Sequence, residues 1–73
     1  MDVKVNQVWA DNDRRVKGRR FRVDRIDCGL VFVTVIENPE APETVGRVRR
    51  IRLDRFRPTS TGYRLVSEAK SDV

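Results

Sequence analysis

The 73-residue sequence predicts a single small all-β domain, and three observations predict it. Apolar residues recur with the two-residue period of a strand over Arg19 to Asp27 and over Val45 to Phe56. No window holds helical periodicity for the ten or so residues that an ordinary helix needs. Turn formers bound each apolar run: Asp11 to Asp13, Cys28 with Gly29, Pro39 with Pro42, and Pro58 to Gly62. A chain of this length buries one core, so one domain is expected over residues 1–66 with a frayed tail over 67–73.

Taken in order, Gln7 to Asp11 makes a short first strand carrying Val8 and Trp9, followed by a polar loop to Gly18. Arg19 to Asp27 places Phe21 and Val23 on one face and Arg20, Arg22 and Asp24 on the other. Val23 and Ile26 are an odd number of residues apart, so both point inward only if a bulge or strong bend falls near Asp24 and Arg25. Bulges of that kind curl sheets. Cys28 and Gly29 form a tight connection into Leu30 to Ile36, which is apolar on both faces, as in a central strand covered on each side.

A proline-containing loop over Glu37 to Gly46 leads into the fourth strand, which points Ile51 and Leu53 inward and Arg50 and Arg52 outward before Pro58 ends it. Thr59 to Gly62 predicts a turn or a single 3₁₀ turn. Tyr63, Leu65 and Val66 supply a short closing strand.

Five strands in this order, with a long first loop, two tighter hairpins and a 3₁₀ turn before the last strand, resemble the SH3-like small barrel over nearly the whole chain. Within that class, Val8, Gly18, Val23 and Ile26 loosely resemble the KOW motif of ribosomal and transcription-elongation proteins, with Arg14, Arg15 and Lys17 filling the loop. The run from Arg52 to Tyr63, together with Trp9 to Asp13, is similar to small uncharacterised proteins of actinobacteria and their bacteriophages. That resemblance implies a source and no activity.

The net charge of +5 is concentrated. Arg14 to Asp27 holds seven basic residues against two acidic, and Thr44 to Arg64 holds seven against Asp54 alone. Thirteen of the sixteen basic residues are arginine, a composition that fits either a GC-rich genome or planar contacts to phosphates and carboxylates.

The lone Cys28 and the absence of histidine exclude an internal disulfide and remove the usual zinc ligands, and no cofactor motif is present. A cytoplasmic location is expected, because charged and polar residues follow Met1 where a secretory signal would be basic and then apolar. The longest apolar run falls far short of the roughly 20 residues that span a bilayer. No catalysis is expected, since no histidine activates Cys28. Some ribonuclease toxins use SH3-like barrels with arginine and hydroxyl groups, which Arg57, Thr59, Ser60 and Thr61 would imitate in a chain short for that class. Asp11 and Asp13 do not open a calcium loop, which needs a glutamate where this chain has Arg22.

Nucleic acid is the first partner expected. Outward Arg20 and Arg22 on the second strand, with Arg50 and Arg52 on the fourth, would flank Phe32 on the third, joining cations for phosphates to an aromatic that stacks on a base. The same residues also read as a core Phe32 under a solvated face paired with Asp24, Asp27 and Asp54. Arg14, Arg15 and Lys17 are secondary phosphate contacts or plain loop charges. The alternative partner is a peptide or host protein held in a groove formed by Trp9 and Tyr63, which full burial of Trp9 would rule out. Glu37, Glu40 and Glu43 read as a solubilising loop. The apolar second face of Leu30 to Ile36 would suit a homo-oligomer competing for Phe32.

Overall fold

Alternation in the second strand organises the molecule. A computed structural model describes residues 3–68. Strands β1 (Val8–Asp11), β2 (Arg20–Asp27), β3 (Leu30–Glu37), β4 (Val48–Arg52) and β5 (Tyr63–Ser67) form one antiparallel sheet in the order β4-β3-β2-β1-β5. Single 3₁₀ turns occupy Arg14–Val16, Pro42–Thr44 and Leu53–Arg55, and the described residues contain no α-helix. None of the described helices is long and apolar enough to cross a membrane.

β2 buries Phe21 and Val23 and exposes Arg20 and Arg22. Val23 pairs with Val33 and Arg25 with Phe32, which leaves Asp24 as the extra residue of a bulge and returns Ile26 to the inner face opposite Val31. The odd spacing from Val23 to Ile26 is resolved in this way. The Asp24 carboxylate accepts a hydrogen bond from the Thr34 hydroxyl across the strands. β2 and β3 join through Cys28 and Gly29 at φ of 49° and 77°, the two positive angles of a type I′ turn.

The sheet curls around its inner face. Trp9, Phe21 and Val35 form one cross-strand row, and Ile26, Val31 and Ile51 another. Trp9 is fully buried at 0% exposure, and its indole N–H donates to Gln7 Oε1 at 3.1 Å. Buried Gln7 also accepts from the Lys4 backbone at 2.7 Å and donates to Glu68 at 3.1 Å, so the polar cost of burying both side chains is met locally.

The expected barrel is not closed: β4 and β5 are the two edges of an open sheet. The expected fourth strand runs too long, because the chain leaves extended geometry after Arg52 and enters the 3₁₀ turn at Leu53–Arg55. Leu53, expected inward, is therefore 40% exposed, while Phe56 just beyond the turn swings into the opening. Its ring packs edge-on against Trp9 at 5.2 Å between centroids and tilted against Tyr63 at 5.1 Å. An aromatic side chain, rather than a strand pair, fills the gap.

The 3₁₀ turn comes before the last strand as expected but earlier in the chain. Thr59 to Gly62 is a turn closed by Gly62 N–H to the Thr59 carbonyl at 3.1 Å. Glycine is required there, since a Cβ at position 62 would lie 2.0 Å from the Arg57 carbonyl oxygen. Ser67, assigned to the tail, ends β5, and residues 69–73 of the expected tail lie outside the described residues. The second face of β3 is only partly covered, with Leu30, Phe32 and Thr34 half-buried and Ile36 38% exposed.

Candidate nucleic-acid interface

The outer face of the sheet is the side of β2, β3 and β4 that carries arginine. β2 brings Arg20, Arg22 and Arg25 to it, β3 brings Phe32, and β4 brings Arg50 and Arg52. The register places Phe32 between Arg50 on β4 and Arg25 on β2. Arg50 is thus beside Phe32 as expected, whereas Arg22 lies opposite Thr34; the tight turn at Cys28 and Gly29 pairs Arg25 with Phe32, and the bulge at Asp24 lets Arg25 share the outer face with Arg22. Arg52 is opposite Leu30, and Arg20 is at the far end opposite Glu37.

Phe32 is half-buried, and the Arg25 guanidinium stands over its ring at 4.2 Å from the centroid. This is a cation–π contact on the outer face, so Phe32 lies outside the core cluster. The Arg25 side chain supplies part of the cover that β3 has on this side.

Three of the expected contact arginines have acidic neighbours. Arg20 meets Glu37 at 3.5 Å, Arg22 meets Asp24 at 3.0 Å and Arg52 meets Asp54 at 3.3 Å. All three pairs are substantially solvent-exposed and worth about 0–1 kcal/mol, so a phosphate can compete for these guanidiniums. Asp27 joins no ion pair among the described residues, and neither do Arg25 and Arg50. The central cations of the face carry uncompensated charge.

In the first loop, Asp13 caps the 3₁₀ turn by accepting from the Arg15 backbone at 2.9 Å and pairs with the Arg15 guanidinium at 2.8 Å. Those side-chain and backbone hydrogen bonds hold its carboxyl down at about 2. Arg15 is committed locally, while Arg14 and Lys17 extend into solvent.

Trp9 and Tyr63 form no groove. Trp9 has no exposed surface and Tyr63 is 6% exposed, because both rings pack on Phe56 beneath the sheet. The peptide-groove expectation is corrected by that burial.

A second basic cluster, which the sequence reading misses, lies on the opposite side at the gap between the sheet edges. There a cavity of about 290 Å³ is lined by Arg19, Arg49, Arg55, Thr61 and Tyr63, among others. Buried Asp11, read from sequence as turn chemistry, holds Arg19 at 2.5 Å. The available signal was Arg49, an arginine two residues before inward Ile51 and so at inward parity on a strand.

Asp11 and Asp13 pair with Arg19 and Arg15 respectively. Comparison of the chain with protein-family models, curated proteins and solved structures finds no match.

Proposed function

We propose that this protein is a small, non-catalytic binding module that contacts nucleic acid through the arginine-rich outer face of its sheet. The observation that carries the reading is the row Arg25, Phe32, Arg50, in which an aromatic ring stands between two cations without acidic partners among the described residues. Guanidiniums on either side would hold successive phosphates by charge-assisted hydrogen bonds. A base would stack on the Phe32 ring or on the Arg25 plane above it, as on other single-strand platforms. Arg20, Arg22 and Arg52 extend the same positive face once they exchange their exposed carboxylates for phosphates.

The strand order β4-β3-β2-β1-β5, the bulge in β2 and the 3₁₀ turn ahead of β5 support reading the domain as a small barrel of SH3-like type left open at one side. The test is a fluorescence-anisotropy titration against labelled single-stranded and duplex oligonucleotides at about 50 mM salt, where phosphate contacts are strong. Binding is expected, with a preference for single strands. Phe32→Ala should weaken single-strand binding roughly five- to hundredfold, the worth of one base–aromatic stack. No binding at that salt would overturn the proposal.

A further inference from the structure

We infer that the cavity between the sheet edges is a phosphate-binding site, with Arg49 and Arg55 as its principal cations and the Tyr63 hydroxyl as an added donor. Arg49 comes from β4 and Arg55 from the end of the 3₁₀ turn that follows it, and both line the cavity. Arg55 is steered by its bond to the Thr61 carbonyl at 3.4 Å. Arg19 forms a fixed wall, bound to Asp11 at 2.5 Å and set over the Phe21 ring at 5.1 Å.

The charge that remains in the cavity is positive. Arg19 neutralises Asp11 and Arg15 neutralises Asp13, whereas Arg49 and Arg55 form no ion pair among the described residues. Arg19, Arg49, Arg55 and Tyr63 line the cavity together, and burial raises the Tyr63 phenol above its ordinary value, which keeps it a proton donor. Tyr63 belongs to the core cluster and also lines the cavity.

The edge of β4 contributes a further element. Val35 N–H bonds the Arg47 carbonyl and Leu53 N–H bonds the Gly29 carbonyl, so odd-numbered residues between them face β3. The backbone N–H groups of Arg50 and Arg52 therefore point away from β3 into the gap, and both residues line the cavity. Planar guanidiniums, a phenol and free edge amides are a donor set suited to a tetrahedral oxyanion. A volume of about 290 Å³ lies at the lower end of small-ligand sites.

This site does not depend on the Phe32 face. The test titrates ¹⁵N-labelled protein at low salt with inorganic phosphate and, separately, with a short oligonucleotide lacking terminal phosphates. Saturable shifts are expected at the Nε–H groups of Arg49 and Arg55 and the amides of Arg50 and Arg52. Affinities are read at the Nε–H groups of Arg49 and Arg55, which the Phe32 face does not use, and in the Phe32→Ala background: tighter binding of inorganic phosphate there identifies a free or terminal phosphate as the ligand, and tighter binding of the oligonucleotide there identifies a backbone diester.

Arg49→Ala/Arg55→Ala should weaken inorganic phosphate at least tenfold, and Tyr63→Phe, which keeps the ring in the core, severalfold. Phe32→Ala and Arg57→Ala should leave phosphate affinity unchanged. Shifts that stay linear and are shared by arginines across the surface, or an affinity unaltered in the double variant, would overturn the site.

Discussion

Phe56 holds the open side of the sheet, and its removal is a quantitative test of that geometry. The ring is 3% exposed and joins Trp9 on β1 to Tyr63 on β5 from a backbone position outside the sheet. Truncation of a buried phenylalanine to alanine costs about 3–5 kcal/mol, which includes the cavity it leaves. A domain of this length has a total stability of roughly 4–11 kcal/mol, so Phe56→Ala should lose a large part of it. At about 4–8 °C per kcal/mol, a 3 kcal/mol loss lowers Tm by about 12–24 °C.

Phe56→Leu, which keeps most of the volume, should cost less than about 1.5 kcal/mol. Exposed Leu53→Ala should cost less than about 1 kcal/mol. Urea unfolding followed by the fluorescence of Trp9, the single tryptophan, reads all three. A Phe56→Ala midpoint within about 1 kcal/mol of the parent, with an unchanged slope, would refute the claim that this ring stabilises the gap.

Further consequences concern the turns and the buried phenol. Gly62→Ala drives a Cβ into the Arg57 carbonyl, which also accepts from the Thr59 and Tyr63 backbones at 2.8 and 2.9 Å, and should cost at least about 2 kcal/mol in a thermal melt. A parent-like melt would show that the turn relaxes freely. Cys28→Asn places a residue suited to positive φ in the type I′ turn and should stabilise by roughly 0.5–1 kcal/mol, with destabilisation counting against the turn assignment. Tyr63, the only tyrosine, should titrate above the ordinary value near 10 in a UV absorbance titration. Because the folded state favours the neutral phenol, its contribution to stability is complete below about pH 10 and is lost as pH rises through the folded value, so titration at or below 10 would contradict its burial.

Much of the sheet is legible in the sequence because its signals are local. The spacing of Phe21, Val23 and Ile26 contains both the inner face of β2 and the bulge at Asp24, and Cys28 with Gly29 marks the hairpin. The neighbour of Phe32 is set by the turn: two residues at Cys28 and Gly29 pair Asp27 with Leu30 and hence Arg25 with Phe32, whereas alternation counted forward from Phe21 and Val23 turns Arg25 inward and hides it.

The end of β4 is misread for a related reason: Ile51 and Leu53 keep strand alternation while the backbone turns into a 3₁₀ geometry whose hydrogen bonds leave no periodic trace. Phe56 and Tyr63 meet Trp9 across contacts distant in sequence, so neither the filled gap nor the burial of Trp9 follows from any window of residues. The cavity with Arg49 and Arg55 likewise joins residues distant in sequence, whereas the Asp11–Arg19 pair lies beside the local pairing of β1 with β2.

The central claim, that uncompensated cations beside Phe32 hold phosphates, is tested most directly by the salt dependence of single-strand binding in the parent and in Arg25→Ala/Arg50→Ala. Each lost phosphate contact lowers the magnitude of the slope of log affinity against log salt by about 0.7 for single strands. The account predicts weaker binding to unrelated sequences alike and a slope flatter by roughly 1.4 in the double variant. An unchanged slope and affinity would contradict it and leave these arginines as a solvated face.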